Sequence, residues 1–324
     1  LGIHLVLVLW IIYSIVPFTW TFLSSIKPTR DALSRTPVWD FTPTGENYTE
    51  LWFNQVPPNL GTLLLLLVGM FVGLVVLGMV AKRLPWPEAY TYLGIVVAIV
   101  GIALLIPRVV DTASFYDYFL NSIIVTVATV AISITIGCFA GYGLARYAGI
   151  MGVIILFTAL AFRALPRMAF VLPYYWMGQA SGLYDTHLLL IITLVAINQP
   201  FTIWMLRSFF MDVPKEIEEA AMIDGCNRVQ SFFQVIIPIM WPGIITTALF
   251  TVLLAYNEFL LPRLLTQSNW TLPVALAQFT GGEDARQITL AAAGSVSITL
   301  PIVFVIIFFQ KYLIKGLAFG AVKG

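Results

Sequence analysis

Long runs of apolar residues that carry no charge constrain the fold of this chain more than any other feature. A helix needs roughly 20 apolar residues to cross about 30 Å of hydrocarbon, and 60% of the 324 residues are hydrophobic while only 10% are charged. The runs are apolar on all sides, unlike one-faced soluble helices, and they are too long for barrel strands. We therefore predict an all-α polytopic membrane protein. Its eight predicted spans lie within Ile3–Ile26, Asn59–Ala81, Ala89–Pro107, Tyr118–Ala145, Tyr147–Met177, Thr186–Leu206, Val229–Asn257 and Gln287–Gln310.

The distribution of Lys and Arg predicts which side of the membrane each loop occupies. Eight spans place both termini on the same side. If that side is the cytoplasm, the inner loops and the tail hold nine Lys or Arg, whereas the outer loops hold six. This excess follows the positive-inside rule, so we expect both termini and the loop 207–235 in the cytoplasm. The nine inner residues are Lys82, Arg83, Arg146, Arg207, Lys215, Arg228, Lys311, Lys315 and Lys323.

One cytoplasmic segment, 207–228, is unusually rich in charge for this chain. It holds eight charged residues, although the whole chain has only 17 Lys or Arg and 16 Asp or Glu. A helix is expected to begin at Pro214, because a proline loses no hydrogen bond at the first helical position. The helix is expected to end near Gly225, because glycine accepts the left-handed conformation of a helix cap.

The predicted helix has one shallow apolar face, formed by Ile217, Ala220 and Ala221 at positions i, i+3 and i+4. Such a face fits two roles, namely resting on the membrane surface or docking in the groove of a protein. The polar side of this helix is acidic, whereas helices that lie on anionic lipid are rich in Lys and Arg. The charge therefore favours a protein partner.

The sequence around this helix resembles the EAA loop of ABC importer permeases. The stretch "EEAAMIDGCNRVQSFFQVIIP" has the spacing of that motif, in which Glu-Ala-Ala is followed by glycine and then by aliphatic residues and proline. Further stretches are similar to MalG-like subunits of carbohydrate importers: "SSIKPTRDAL", "NSIIVT", "AGYGLAR", "WMLRSFF", "YNEFLLPRLLT" and "KGLAFGAVKG". This similarity extends along the chain except for about residues 59 to 111. The matching positions of the motif are Glu219, Ala220, Ala221, Gly225, Val235, Ile237 and Pro238.

The resemblance implies a function, a fold and a set of partners. It implies a type I ABC importer permease core of six spans, in which the EAA segment is a coupling helix that docks on a cytosolic ATPase dimer. A second, MalF-like permease, an outer soluble substrate-binding protein and a carbohydrate substrate are the other implied partners. The loop 269–287 would contact the binding protein, and the C-terminal tail would reach between the ATPase subunits. The residues implied in ATPase coupling are Ile217, Glu219, Ala220, Ala221, Asp224 and Gly225.

The chain itself has no sequence signal of catalysis. It contains no Gly-Lys dipeptide, so it lacks a P-loop that could hold the phosphates of ATP, and we expect ATP and Mg²⁺ on the partner ATPase. Its two histidines, His4 and His187, have no metal-ligand spacing around them. We therefore predict no enzyme activity, no cofactor and no metal site in this chain. A net charge of +1 gives no indication of a nucleic-acid partner.

Two features depart from the family pattern. The spans Asn59–Ala81 and Ala89–Pro107 are additional to the six-span core, and we interpret them as an inserted, lipid-facing helical hairpin. The chain then divides into residues 1–58 with the first span and an outer loop, 59–111 with the hairpin, and 112–324 with the permease core. The second departure is a pair of arginines, Arg163 and Arg167, within the fifth apolar run.

Arginines at membrane depth are costly and need partners. Glu258, at the end of a later span, is a candidate counter-ion. One interpretation is a structural pair that locks two helices. The other is a substrate pathway for an acidic, sulfonated or phosphorylated sugar, because a guanidinium is suited to oxyanions. Other candidates for this pathway, which could equally bond across helices, are Asn198, Tyr256 and Asn257.

Two other classes of membrane protein are alternatives. An ion-coupled secondary carrier is expected to have acidic residues within its spans and internally repeated halves. Here we find no repeat, and the acidic residues lie almost only in loops. A membrane-embedded enzyme would need a converging set of His, Cys, Asp or Glu. The sequence therefore favours an importer permease of the bacterial cytoplasmic (inner) membrane.

Overall fold

The computed structural model describes most of the chain outside the predicted hairpin. The hairpin lies almost entirely outside the described residues, as do the last three residues of the tail, so the structure does not test these two predictions. The described residues are 2–32, 34, 38–53, 94, 101, 106–108, 110–147, 149–280 and 284–321, without the side chains of 285 and 313–321.

Five helices in the described part of the chain are long and apolar enough to cross a membrane. Each coincides with a run predicted from the sequence, which confirms a helical membrane protein. They are α1 (Gly2–Ser25), α4 (Ser114–Arg146), α7 (His187–Asp212), the continuous helical segment Arg228–Tyr256, and α13 (Ala285–Ala321), whose apolar part is Arg286–Tyr312.

The fifth predicted run is not a straight helix. Helix α5 (Gly149–Arg163) and helix α6 (Met168–Ser181) meet at an angle of 94°. The break lies at Pro166, which has no N–H for the next helical hydrogen bond; the carbonyl of Phe162 accepts instead from the N–H of Leu165, at 3.1 Å. If the bent pair is one span, the described residues contain six spans. The predicted total of eight is thus not confirmed.

One compact unit comprises residues 1–123 and 274–298. It contains α1, α2 (Thr29–Ala32) and α3 (Glu46–Trp52). The ring of Trp52 packs edge-on against Phe115 at 5.1 Å between centroids, and its Nε1 donates to Ser297 Oγ at 3.2 Å. Asn47 Nδ2 donates to the carbonyls of Ser25 and Lys27, at 2.8 and 2.9 Å. The chain after α1 is therefore held by buried hydrogen bonds.

The other unit comprises residues 124–273 and 299–324. Within it, α4 and α7 pack unusually closely because α4 carries glycines at the contact. A Cβ atom at Gly141 would lie 3.0 Å from the backbone nitrogen of Arg207 and 3.2 Å from Leu206 Cβ. At Gly137, one turn earlier, a Cβ would lie 2.8 Å from Leu206 Cδ1. Small residues allow such close approach between membrane helices.

The segment Arg228–Tyr256 is continuous but changes its hydrogen-bond pattern near its start. It consists of α9 (Arg228–Ser231), a π-helical turn at Phe232–Ile236 and α10 (Ile237–Tyr256). The N–H of Ile237 donates to the carbonyl of Phe232, five residues back. Pro238 follows directly and has no N–H, so a regular α-helical pattern is interrupted here.

A single carboxylate joins two loops of this second unit. Asp185, between α6 and α7, has a positive φ of 60°. Its carboxylate accepts backbone N–H groups of Gln267, Ser268 and Asn269 at 2.8, 3.0 and 3.1 Å, and the hydroxyl of Ser268 also donates to it. Burial opposes ionisation, but these hydrogen bonds outweigh it and lower the pKa of Asp185 to about 2. The charged form therefore stabilises the folded protein.

We expect Asp185→Asn to destabilise this unit by about 1–2 kcal/mol, comparable to the loss of a helix cap, because the amide cannot accept the same set of N–H donors. Since the pKa in the folded state lies below the ordinary value of 3.8, the stabilisation is present above pH ~4 and is lost as the pH falls toward ~2. Thermal unfolding in detergent across this range measures it. The matched control is Asp40→Asn, at an exposed position. Equal acid sensitivity of the wild type and Asp185→Asn would contradict the prediction.

Candidate functional site

The predicted coupling helix is present as α8 (Lys215–Ile223). Pro214, the predicted first residue, is its N-cap, so the helix begins one residue later than predicted. Glu216 and Glu218 lie in its first turn, where the helix dipole favours negative charge. The helix ends at Ile223, close to the predicted end near Gly225, whose φ is +95°. The N–H of Gly225 donates to the carbonyl of Met222 and that of Cys226 to Ala221, at 3.1 and 3.0 Å. This pair of bonds is a Schellman motif.

The inner face of α8 packs against the body of the chain. Ala221 is only 7% exposed, and Ile217 is half-buried against an apolar cluster that includes Phe210 and Ile236. The sequence placed Ile217 and Ala221 on one docking face together with Ala220. In the structure that face is divided, because the side chains of Ile217 and Ala221 pack into the core of this chain, whereas Ala220 is exposed.

The outer face of α8 is a separate stripe. Glu216, Glu219, Ala220 and Ile223 are exposed, and they follow each other at i, i+3, i+4 and i+7; we call these four residues the outer stripe. Ile223 is 86% exposed, an unusual position for a large aliphatic side chain on a short polar helix. Of the other predicted coupling residues, Asp224 and Gly225 are exposed at the C-terminal end.

A buried ion pair fastens the inner face of α8 to the end of α4. Arg146 Nε lies 2.6 Å from Glu218 Oε1, and their side chains are only 5% and 10% exposed. Tyr142 donates its hydroxyl to Glu218 Oε2 at 2.9 Å, and Arg146 Nη2 donates to the carbonyl of Val213 at 2.9 Å. This group of contacts was not predicted from the sequence. In the sequence, the only indications of this ion pair are Glu218, which directly precedes Glu219, and Arg146, which ends an apolar run.

The predicted counter-ion of the membrane arginines is confirmed for one of them. Arg167, which precedes α6, forms an ion pair with Glu258. Glu258 is 4% exposed and also accepts the N–H of Leu260 at 3.2 Å, at the start of α11 (Leu260–Leu265). This carboxylate therefore ties the α5–α6 break to α11, as expected of a structural pair.

Arg163, the other arginine, has a different environment. Its guanidinium carbon lies 5.0 Å from the centroid of the Phe201 ring, a cation–π contact. Its Nε is buried and has no hydrogen-bond partner among the residues that the structure describes. Arg167 is paired with Glu258, whereas Arg163 forms no ion pair with any described residue. The positive charge of Arg163 is therefore not balanced by a carboxylate in the part of the chain that the structure describes.

The remaining predicted pathway residues lie in three different environments. Asn198 is 2% exposed within α7, and its Oδ1 has no hydrogen-bond partner in the described part of the chain. Tyr256 is 5% exposed at the end of α10. Asn257 is exposed, and its Nδ2 donates to the carbonyl of Leu253 at 2.9 Å, so it caps its own helix.

The loop 269–287, predicted to contact a binding protein, contains helix α12 (Leu272–Phe279). Leu272, Val274 and Ala275 are buried, at 0%, 1% and 0% exposure. The segment is therefore more ordered than the polar loop that the sequence suggested.

Comparison with known proteins places these elements in a family. Residues 133–319 match the family "Binding-protein-dependent transport system inner membrane component". The chain is 35% identical over 213 residues to the trehalose transport system permease protein SugB of Mycobacterium tuberculosis, covering 65% of this chain and 78% of that protein. It is 29% identical over 329 residues to the diacetylchitobiose uptake system permease protein NgcG of Streptomyces coelicolor, covering 99% and 88%.

A solved structure supports the fold assignment. It is a bacterial ABC transporter involved in the import of the acidic polysaccharide alginate, with a TM-score of 0.65 over 96% of this chain and 95% of that chain, at 18% identity. The matched family region contains the outer stripe, the Arg146–Glu218 pair and the α5–α6 break. The chain therefore belongs to the family of inner membrane permease components of binding-protein-dependent transport systems.

Proposed function

We propose that this chain is the permease subunit of an ATP-driven importer of carbohydrates. The observation that carries the proposal is α8, a short helix with one face fixed to the chain's own core and the outer stripe exposed. Ala220, in this stripe, has the short side chain that lets a partner's groove approach the helix closely. The relatives named for trehalose and diacetylchitobiose transport support a carbohydrate substrate.

The proposal includes the partners that such a permease needs. An ATPase dimer holds ATP and Mg²⁺ and contacts the outer stripe, with Asp224 and Gly225 at its edge. Ile217 and Ala221 support this contact from the inner side. A second, MalF-like permease completes the pathway across the inner membrane, and an outer soluble binding protein delivers the sugar. Both termini and α8 lie in the cytoplasm.

In this scheme, ATP-driven movement of α8 changes the packing of the spans. Among the described helices, the 94° break at Pro166 and the π-helical turn before Pro238 are two places where the regular helical pattern changes. Such interruptions are where membrane helices bend. We propose that the spans pivot at these two places when access alternates between the two sides of the membrane.

A pair of neighbouring alanines provides the test. Single cysteines at Ala220 and Ala221 would be treated with a bifunctional maleimide after co-expression with the ATPase. Because Ala220 is exposed and Ala221 is 7% exposed, we expect Ala220→Cys to crosslink to the ATPase and Ala221→Cys to crosslink at least about tenfold less, in line with the dependence of thiol reactivity on accessibility. No ATPase adduct at Ala220→Cys would overturn the proposal, and purification of an active transporter without any ATPase would favour an ion-coupled carrier.

A second proposal concerns the charge of the substrate. Arg163 has no paired carboxylate among the described residues, and its Nε lacks a hydrogen-bond partner there. A guanidinium within a membrane protein is costly unless it meets an anion or water. This favours an acidic, sulfonated or phosphorylated sugar over a neutral one. The Asn198, Tyr256 and Asn257 side chains are further candidates for contacts with sugar hydroxyl groups.

A further inference from the structure

We infer that Arg146, Tyr142 and Glu218 form a rigid connection through which movement of α8 reaches α4, and we call these three residues the α4–α8 tether. This inference rests on the proposed function, because it assigns the path by which force leaves the coupling helix. The outer stripe would receive the force, and the tether would pass it to the membrane span.

The hydrogen bonds of the tether fix α8 at two points. Arg146 contacts the carboxylate of Glu218 in the first turn of α8 and also the carbonyl of Val213, just before the helix begins. Both oxygens of Glu218 are used, because Tyr142 donates to the second one. A helix that one guanidinium holds both in its first turn and just before its start cannot tilt about a single contact.

The burial of the pair makes the connection stiff. The side chains of Arg146 and Glu218 are 5% and 10% exposed, and a charge that has lost its partner in such a place is strongly unfavourable. Ile217 and Tyr142 pack beside the pair against the same apolar cluster as Phe232. The ion pair and the apolar contact therefore resist separation together.

The span that receives the movement is itself closely packed. Gly141, five residues before Arg146, brings the α4 backbone against the backbone of α7 at Arg207. A displacement of the end of α4 is therefore passed to α7 without a flexible side chain between them. Interfaces of this kind move as units rather than deform continuously.

Other charges near the tether do not have this arrangement. Lys215, Glu219 and Arg228 line the same cleft of about 150 Å³. Arg228 is exposed and contacts Tyr147, with its guanidinium carbon 5.4 Å from the ring centroid. Lys215 is exposed and has no ion pair among the described residues, which makes it a matched control for the removal of a positive charge.

The test separates binding of the ATPase from transmission of movement. The full complex would be purified with its ATPase and reconstituted in lipid vesicles. Asn257→Cys, at the exposed end of α10, would report the pathway through its labelling rate with a membrane-impermeant maleimide, with and without ATP plus vanadate. In the otherwise wild-type complex we expect the two rates to differ by at least about threefold, as a nucleotide-driven population shift requires.

We expect Arg146→Gln and Glu218→Gln to bind as much ATPase as the wild type, because the outer stripe is unchanged. Their labelling rates should differ by less than about 1.5-fold between the two nucleotide conditions, since movement of α8 no longer reaches α4. Lys215→Gln should keep both the ATPase and the threefold difference. Variants of Arg146 and Glu218 that retain the wild-type difference would overturn the tether.

Tyr142→Phe decides the case in which the charge variants do not assemble. It removes one hydrogen bond and keeps the ion pair, so it should bind as much ATPase as the wild type. The effect of nucleotide on its labelling rate should be smaller than in the wild type and larger than in the charge variants. An effect equal to that in the wild type would overturn the tether. A wild-type complex that lacks ATPase, or whose labelling does not respond to nucleotide, would instead contradict the proposed function.

Discussion

Gly141→Leu is expected to prevent stable assembly of α4 with α7, and Gly141→Ala to lower the free energy of unfolding by about 1–3 kcal/mol. The reason is the identity of the atoms that an added side chain meets. A Cβ at position 141 would lie 3.0 Å from the backbone nitrogen of Arg207 and 3.3 Å from the backbone carbon of Leu206. Backbone atoms cannot rotate away as the end of a side chain can, so α4 and α7 must move apart.

Gly143, two residues later on the same helix, is the matched control. A Cβ at Gly143 meets nothing within 4 Å. Replacing a helical glycine by alanine without a clash is expected to leave stability unchanged or to raise it by about 0.5–1 kcal/mol. Thermal unfolding of the purified protein in detergent, together with the yield of monodisperse protein, measures both variants. Equal unfolding midpoints for Gly141→Ala and Gly143→Ala would contradict the close packing of α4 and α7.

The spans and the approximate ends of α8 could be predicted from the sequence because their causes are local. A run of apolar residues identifies a span wherever it packs, and Gly225 ends α8 through its own backbone conformation. The pairing of Arg167 with Glu258 was also predictable, since a charge inside a span needs an opposite charge and few acidic residues lie near span ends.

The orientation of α8 could not be predicted, because its cause is distant in the chain. Alanine is compatible with either face, so Ala220 and Ala221 look alike in the sequence. Their difference in exposure follows from how α8 packs, with Ile217 against the apolar cluster and Glu218 paired with Arg146, 72 residues away. The hydrogen bond between Asp185 and Ser268 joins residues 83 positions apart, so it could not be predicted from the local sequence either. Contacts of this kind follow from tertiary structure, whereas the motif reports only spacing.

The two arginines of the α5–α6 break separate into a structural residue and a candidate binding residue. Arg167 is neutralised by Glu258, which also caps α11. Arg163 has an aromatic ring as its neighbour and a buried Nε without a partner in the described structure. An anionic substrate would supply both the missing charge and the missing hydrogen-bond acceptor. A guanidinium provides several N–H donors in a planar arrangement that matches a carboxylate or sulfate group.

Arg163→Gln is therefore expected to reduce the uptake of an oligosaccharide that carries uronic acids by about 10- to 100-fold, the loss expected for a hydrogen bond to a charged group. Uptake of a neutral disaccharide such as trehalose should change less than about twofold, because no charged contact is lost. Uptake of the anionic sugar by Arg163→Lys should lie between that of the wild type and that of Arg163→Gln, since lysine keeps the charge without the planar set of donors. Arg167→Gln is the matched variant, and it should reduce the uptake of both sugars alike because it leaves the buried carboxylate of Glu258 without its positively charged partner. Vesicles that contain the reconstituted importer and its binding protein provide the assay. An equal loss of neutral and anionic uptake in Arg163→Gln would show that Arg163, like Arg167, is held in the membrane by a structural contact, for which a carboxylate of the second permease would be the partner to seek.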